Sequence, residues 1–327
     1  MCTWWYRQIC NDENGALQAT YTYDANGNRA SLTYANGAKI TYAYNRANLV
    51  TGVYNGKSIN PTAYSSYTYG YNLDGNQERK TDKDSVVTIY GYDQASRLTR
   101  EMRIITGDDI RSNWYSYDDY GNRISKTDSD GQTVYSYDKR NRLLSSLETV
   151  GSKTTETVYT YDANGNELTK AMTTLEPDSG TSTAQFAVVS NTPYAQINRY
   201  DLNDRLIESV STNATAAYRY RPDGLRYDKE IDGQATRHVW DGSNIVSDLT
   251  VTPTGAVSIL SGYVRGIGLI ATKETAANAY RYYLSNGHGD TVQLTNNSGS
   301  VVWNYDYDAF GNSMDESGNI IDVGLAN

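Results

Sequence analysis

One phrase recurs along this 327-residue chain: Tyr, any residue, Tyr, Asp, two variable residues, then Gly-Asn or Asn-Arg-Leu. It begins as Tyr21-Thr22-Tyr23-Asp24 with Gly27, and continues as Tyr42-Ala43-Tyr44-Asn45 and Tyr69-Gly70-Tyr71-Asn72. It returns with Tyr92-Asp93, with Tyr115-Ser116-Tyr117-Asp118 and Gly121, and with Tyr137-Asp138. Later copies hold Tyr161-Asp162 with Gly165, then Tyr200-Asp201, then Tyr307-Asp308 with Phe310-Gly311. Self-similarity at a fixed period commits a chain to stacked units, whose work is done by an extended surface.

Each Tyr-x-Tyr puts two rings on one face of a strand, because side chains alternate with period two. The Asp accepts hydrogen bonds from the backbone ahead of it, and Gly or Asn three residues on tolerates positive φ. Strands joined by short hairpins follow. Two turn classes alternate: Asp24 to Asn45, Asn72 to Asp93 and Asp118 to Asp138 are steps of 21, 21 and 20 residues. The expected unit is a double hairpin turn, with one turn class on each edge of a long strip. Between Asp162 and Asp201 the step lengthens, and the Ser/Thr-rich stretch near 171–195 reads as an inserted surface loop. The apolar run from Val257 to Ile270 reads as a strand pair buried on both faces.

The aromatic content is 31 tyrosines against 2 Phe and 5 Trp, which suits a pleated, half-buried surface. No long stretch places apolar residues at helical spacing. The expected fold is therefore all-β: a repetitive antiparallel β-hairpin strip. A net charge of −9 argues against nucleic acid, whose binding rests on clustered Lys and Arg. No stretch is long and apolar enough for a membrane helix, and the first residues lack the pattern of a signal peptide. Cys2 and Cys10 fit a bridge and two unpaired thiols equally. The array starts at once and stops at Asn327 without a capping segment, so a piece of a longer protein is expected.

At these residues the chain resembles the tyrosine-aspartate (YD) repeats of the RHS family. The segment from Tyr282 through Asn286-Gly287-His288-Gly289-Asp290 to Trp303, Tyr307, Asp308, Phe310 and Gly311 resembles the start of the RHS-associated core. The resemblance implies a curved or spiralling, shell-like sheet, of which this would be a partial cocoon. It also implies a bacterial polymorphic-toxin or wall-associated protein, secreted or held at the cell surface. The implied layout is an irregular lead-in over 1–20, a YD strip over 21–281, the core start over 282–312 and a tail over 313–327. The family's self-cleaving aspartates have no matching positions, so no catalytic residue is carried across.

His238 and His288 lie too far apart for a metal pair and have no serine or cysteine partner in sequence, so structural roles are expected. The stretches 24–28 and 162–166 superficially resemble a calcium loop. They lack the glycine at the sixth position and the acid at the twelfth, where Ala35 stands. No metal or cofactor is expected. Carboxylates opening turns would line an edge, whereas a glycosidase pair must converge in a cleft. Two functional readings remain. The first is a non-enzymatic shell wall that encapsulates and helps deliver a C-terminal toxin of the same full-length polypeptide. The second is a cell-wall or surface module whose tyrosine rows bind carbohydrate.

Overall fold

The computed structural model describes residues 7–11, 15–57, 63–105, 110–177 and 186–315. Within them regular structure is entirely β, from Arg7–Asn11 to Ser313–Met314, and the described pairings join consecutive strands antiparallel. The chain divides into two compact units. One joins Met1–Thr88 with Gln234–Val323, and the other is centred on Ile89–Gly233.

The repeat builds the sheet in one way throughout. The second tyrosine ends its strand and sits at a β-bulge: Thr22/Tyr23, Ala43/Tyr44, Gly70/Tyr71, Ser116/Tyr117, Ser136/Tyr137 and Thr160/Tyr161. An extra residue there sharpens the local twist and bend of the strand. Both turn classes lie on the same edge, not on opposite edges as the spacing suggested. Leu17–Tyr23 and Lys39–Tyr44 run in the same direction with Arg29–Tyr34 between them, so the turns they open share an edge. A step of about twenty residues is two strands plus the turn between them. The other edge carries turns without the Tyr-Asp phrase, such as Tyr34–Gly37, and the Asp82 turn there has the same Asp-capped, left-handed geometry.

Three further expectations are corrected. The insertion near 171–195 is no surface loop; it lengthens a hairpin, Glu167–Pro177 against Phe186–Tyr200, with 178–185 outside the described residues. Strand pairing lets extra residues satisfy their own backbone groups, which a loop of that length would not. The expected irregular lead-in contains the strand Arg7–Asn11, paired with Leu17–Tyr23. The run Val257–Ile270 is not buried on both faces: Val257, Ile259 and Leu260 are exposed, while Val264 and Ile270 are buried.

The unit holding both chain ends has a true core. Tyr21, Leu32, Tyr34, Ile40, Tyr42 and Val53 on the early strands pack with Val264, Ile270, Ala271, Tyr282 and Leu284 on the late ones. Tyr34 and Tyr282 meet edge to face at 5.7 Å, a favoured geometry for aromatic rings. The late strands contribute the face opposite Tyr263 and Thr272. Val264 and Ala271 are register partners and neighbour Tyr263 and Thr272, whose side chains point the other way.

A buried polar chain closes this interface. The Asn55 amide donates to Ser65 Oγ at 2.9 Å, Ser65 donates to Gln293 Oε1 at 2.9 Å, and Gln293 Nε2 donates to Asn304 at 2.9 Å. Tyr282 donates to Gln18 at 2.8 Å. Satisfied polar groups of this kind fix one packing arrangement over its slipped alternatives. Cys10 is buried in the same core, and Cys2 lies outside the described residues.

Candidate functional site

The motif carboxylates form a repeated edge. Asp118 Oδ1 accepts the amides of Tyr120 and Asn122 at 2.9 and 2.8 Å, while Oδ2 accepts the Asn122 side chain at 2.9 Å. Asp24 and Asp308 repeat this arrangement with Asn28 and Asn312. Asp162 repeats it with Gly165 and Asn166. The residue three past the acid is left-handed in both classes: Gly27, Gly121, Gly165 and Gly311 at φ 84, 89, 100 and 82, and Asn48, Ser96, Asn141 and Asp204 near 60. The two turn classes therefore share one geometry and differ in what occupies the next position.

That next residue is Asn in the glycine class and chiefly Arg in the other. Arg97, Arg142 and Arg205 each place Nε 2.7 Å from the turn-opening carboxylate, of Asp93, Asp138 and Asp201 respectively. Their NH1 groups donate to the carbonyls of Asp118, Asp162 and Arg221, the openers of the following turns. In the reverse sense Asn28 donates to Asn48 at 2.8 Å, Asn122 to Asn141 at 3.0 Å, and Asn166 to Asp204 at 2.8 Å. Successive turns are thereby linked along the edge.

The carboxylates of Asp24, Asp93, Asp118, Asp138, Asp162 and Asp201 are held below their ordinary value. For Asp93 and Asp138 the main cause is the backbone amide of Arg97 or Arg142. For Asp118, Asp162 and Asp201 it is the side chain of Asn122, Asn166 or Arg205. Hydrogen bonds to the ionised form lower a pKa.

The second tyrosine of the motif serves its own sheet. Tyr117, Tyr137, Tyr161 and Tyr220 donate at 2.7 to 2.9 Å to the carbonyls of Leu98, Arg123, Leu143 and Leu206, each the first residue of the preceding strand. Tyr44 and Tyr71 do the same with Arg29 and Val50, while Tyr307, in a separate two-stranded sheet with Ser313–Met314, donates to Thr291 of the large sheet. Guanidinium groups cover the rings: Arg97 over Tyr117, Arg123 over Tyr135 and Arg142 over Tyr161, at 4.8 to 5.0 Å from the centroids. Sequence reasoning gave these arginines no role, although Arg97, Arg142 and Arg205 recur at a fixed place after the acid. On the opposite face, residues between the tyrosines form cross-strand hydroxyl pairs, Ser136 with Ser145 at 2.7 Å and Thr160 with Thr169 at 2.6 Å.

Tyr92 and Tyr200 also end strands, and Tyr200 lies at a bulge; Tyr23 packs against the core. Tyr69 and Tyr115 are first tyrosines of their repeats and are buried. Phe310 sits half-exposed in the Asp308 turn.

The two histidines are widely separated in role. His238 takes the register position of a first tyrosine, with Nδ1 2.7 Å from Asp248, whose other oxygen accepts Tyr263 at 2.6 Å. Burial, then this hydrogen bond, pushes the Tyr263 hydroxyl up to about 12. His288 stacks on Tyr69 and meets Gln77 at 3.0 Å. Among the described residues no group of three metal-binding side chains converges. Among the described residues no helix is long and apolar enough to cross a membrane.

A bulged antiparallel sheet with one ladder of Tyr-Asp turns defines a β-repeat protein. Residues 23–58 and 117–154 match the family model of the RHS repeat. It is 25% identical over 312 residues to the tRNA3(Ser)-specific nuclease WapA of Bacillus spizizenii, a match covering 93% of this chain and 12% of that protein. It is 26% identical over 313 residues to the tRNA nuclease WapA of Bacillus subtilis strain 168, again covering 93% and 12%. The chain thus spans only a small part of these relatives.

Among solved structures, TcdB2-TccC3 without its hypervariable C-terminal region is similar, with TM-score 0.45 and 16% identity over 94% of this chain and 19% of that one. The Photorhabdus luminescens Tc holotoxin pore gives TM-score 0.43 with 16% identity over the same shares.

Proposed function

We propose that this chain is a non-enzymatic stretch of wall in an RHS-type toxin, secreted or displayed at the cell surface. It encloses a toxin domain carried further along the same polypeptide and holds it until delivery. The observation that carries this reading is the uniform use of the motif: carboxylates close turns, second tyrosines bind their own sheet, and arginines tie one turn to the next. A surface spent in this way supplies stiffness and leaves catalysis to another domain. Relatives named as nucleases, matched over a small part of their length, fit that division of labour. We assign the face of the first tyrosines to the interior, since the early strands bury it at Tyr21, Tyr42 and Tyr69.

The carbohydrate-binding alternative needs ring faces open to a sugar. Guanidinium groups occupy several of them, so the wall reading is preferred. Limited proteolysis of the whole natural polypeptide tests it. The downstream domain should survive protease while joined to the intact wall and be digested at the rate of the isolated domain once the wall is unfolded. Equal digestion in both states would contradict enclosure.

A further inference from the structure

The strands that follow the turns opened by Asp24, Asn72, Asp118, Asp162 and Arg221 start with Arg29, Gln77, Arg123, Glu167 and Arg226. Each arginine in this series lies over a first tyrosine of the repeat. Arg29 covers Tyr42 at 4.6 Å, Arg123 covers Tyr115 and Tyr135 at 5.7 and 4.9 Å, and Arg226 covers Tyr218 at 5.1 Å. A guanidinium on a ring face is held by the quadrupole of the ring.

Gln77 breaks the series, and a planar group from a distant turn takes the vacated place. The His288 ring stacks on Tyr69 with centroids 6.1 Å apart, and its Nε2 meets Gln77 Oε1 at 3.0 Å. The strand-starting residue supplies a polar oxygen there, and the first tyrosine supplies the platform.

Glu167 breaks the series too, but nothing fills the place. Among the described residues its carboxylate makes no hydrogen bond or ion pair, and no cation or ring covers Tyr159, the first tyrosine of that hairpin. Arg142 is committed to Asp138, the Asp162 carbonyl and the Tyr161 ring. The acid is seated among the rings all the same: burial first, then the charge of Glu167, raises the hydroxyls of Tyr159, Tyr161 and Tyr200. Burial also raises the Glu167 carboxyl itself, and Lys170, the register partner of Tyr159, softens that shift without an ion pair.

The neighbouring position departs from the repeat at the same point. Asn198 stands where the next copy would carry its first tyrosine, in Asn198-Arg199-Tyr200-Asp201. Its amide donates to the Glu167 carbonyl at 3.1 Å, a bond that second tyrosines supply elsewhere. Ser209 donates to Asn198 at 2.8 Å, so a ring is replaced by a shorter, hydrogen-bonded polar group.

We propose that Glu167 and Tyr159 form a receptor site for the guanidinium of an arginine presented by another peptide or protein segment. The carboxylate is the acceptor and the ring the platform, as Gln77 and Tyr69 are for His288. A carboxylate in place of an amide selects a cation, and its two oxygens match the guanidinium fork better than a lysine ammonium.

An NMR titration of the 327-residue chain with N-acetyl-arginine amide, read at the Tyr159 ring, tests the site. Saturable binding is expected, and Glu167→Gln or the uncharged citrulline analogue of the probe should weaken it about tenfold, since each removes the charge from the contact. Glu156→Gln, on the opposite face of the strand that carries Tyr159, should leave binding unchanged. Glu167→Arg restores the residue of the other copies, so it should abolish binding without lowering the denaturant midpoint.

Four results would each overturn the proposal. They are no saturable binding to the parent, equal binding of the arginine and citrulline probes, equal losses in Glu156→Gln and Glu167→Gln, and binding kept in Glu167→Arg. A lowered midpoint in Glu167→Arg would also count against it, because a guanidinium would then not fit beside Tyr159.

Discussion

The Tyr137 hydroxyl donates to the carbonyl of Arg123 at 2.9 Å, reaching from the end of one strand to the start of the one before it. The same bond recurs at Tyr117, Tyr161 and Tyr220, so it belongs to the repeat. Tyr137→Phe keeps the ring and removes the donor, leaving a carbonyl under-satisfied. A loss of about 1 kcal/mol is expected. Tyr120→Phe, at an 83% exposed turn residue, should be neutral. Denaturant midpoints of the two variants decide the point, and equal midpoints would refute the role assigned to the second tyrosine.

Arg142 joins Asp138, the Asp162 carbonyl and the Tyr161 ring. Lysine keeps the charge but cannot hold the fork and stack together. Arg142→Lys should cost roughly 1 kcal/mol, most of it retained at high salt because stacking and geometry, more than long-range charge, are lost. A variant as stable as the parent would show that the arginine link is ornamental.

Acid should release the turn edge. The carboxylates of Asp93, Asp118, Asp138, Asp162 and Asp201 have lowered folded-state pKa values. A depressed acid stabilises the fold above its unfolded pKa, and that contribution disappears as pH falls through the folded value. Stability should therefore be level at neutral pH and decline below about 4. Turn amides such as those of Tyr120 and Asn122 should lose exchange protection first. Stability rising toward acid would contradict the assignment.

Left-handed turn positions make a further contrast. Gly165 sits at φ 100 and Asn141 at φ 60 in equivalent places. Gly165→Ala should cost about 1–2 kcal/mol, since a β-carbon strains that backbone. Asn141→Gly should cost less, about 0.5–1 kcal/mol, since glycine tolerates the backbone and only the acceptor for Asn122 is lost. Thermal midpoints compare them directly.

The strands, hairpins and turn chemistry were legible because period-two rings and a Tyr-Asp-x-x-Gly phrase encode them locally. The edge assignment failed because spacing between Asp24 and Asn45 counts residues without counting strands; two strands and a plain turn fit that interval. The hairpin built by Glu167–Pro177 and Phe186–Tyr200 was hidden by its Ser/Thr-rich composition, which suits a loop as well as an exposed strand. The core was invisible for another reason. Tyr34 and Tyr282 lie 248 positions apart, and no local period links them.

Ser145 and Ser146 are adjacent, equally half-buried, and point to opposite faces of the sheet. Ser146 shares the face of Tyr135 and Ser145 that of Ser136. Single Ser145→Cys and Ser146→Cys variants of the whole natural polypeptide, labelled with a bulky maleimide, test enclosure by the tyrosine face most directly. The account predicts ready labelling at 145, and protection at 146 that is lost when the wall is unfolded. Equal labelling of both positions in the native protein would contradict it.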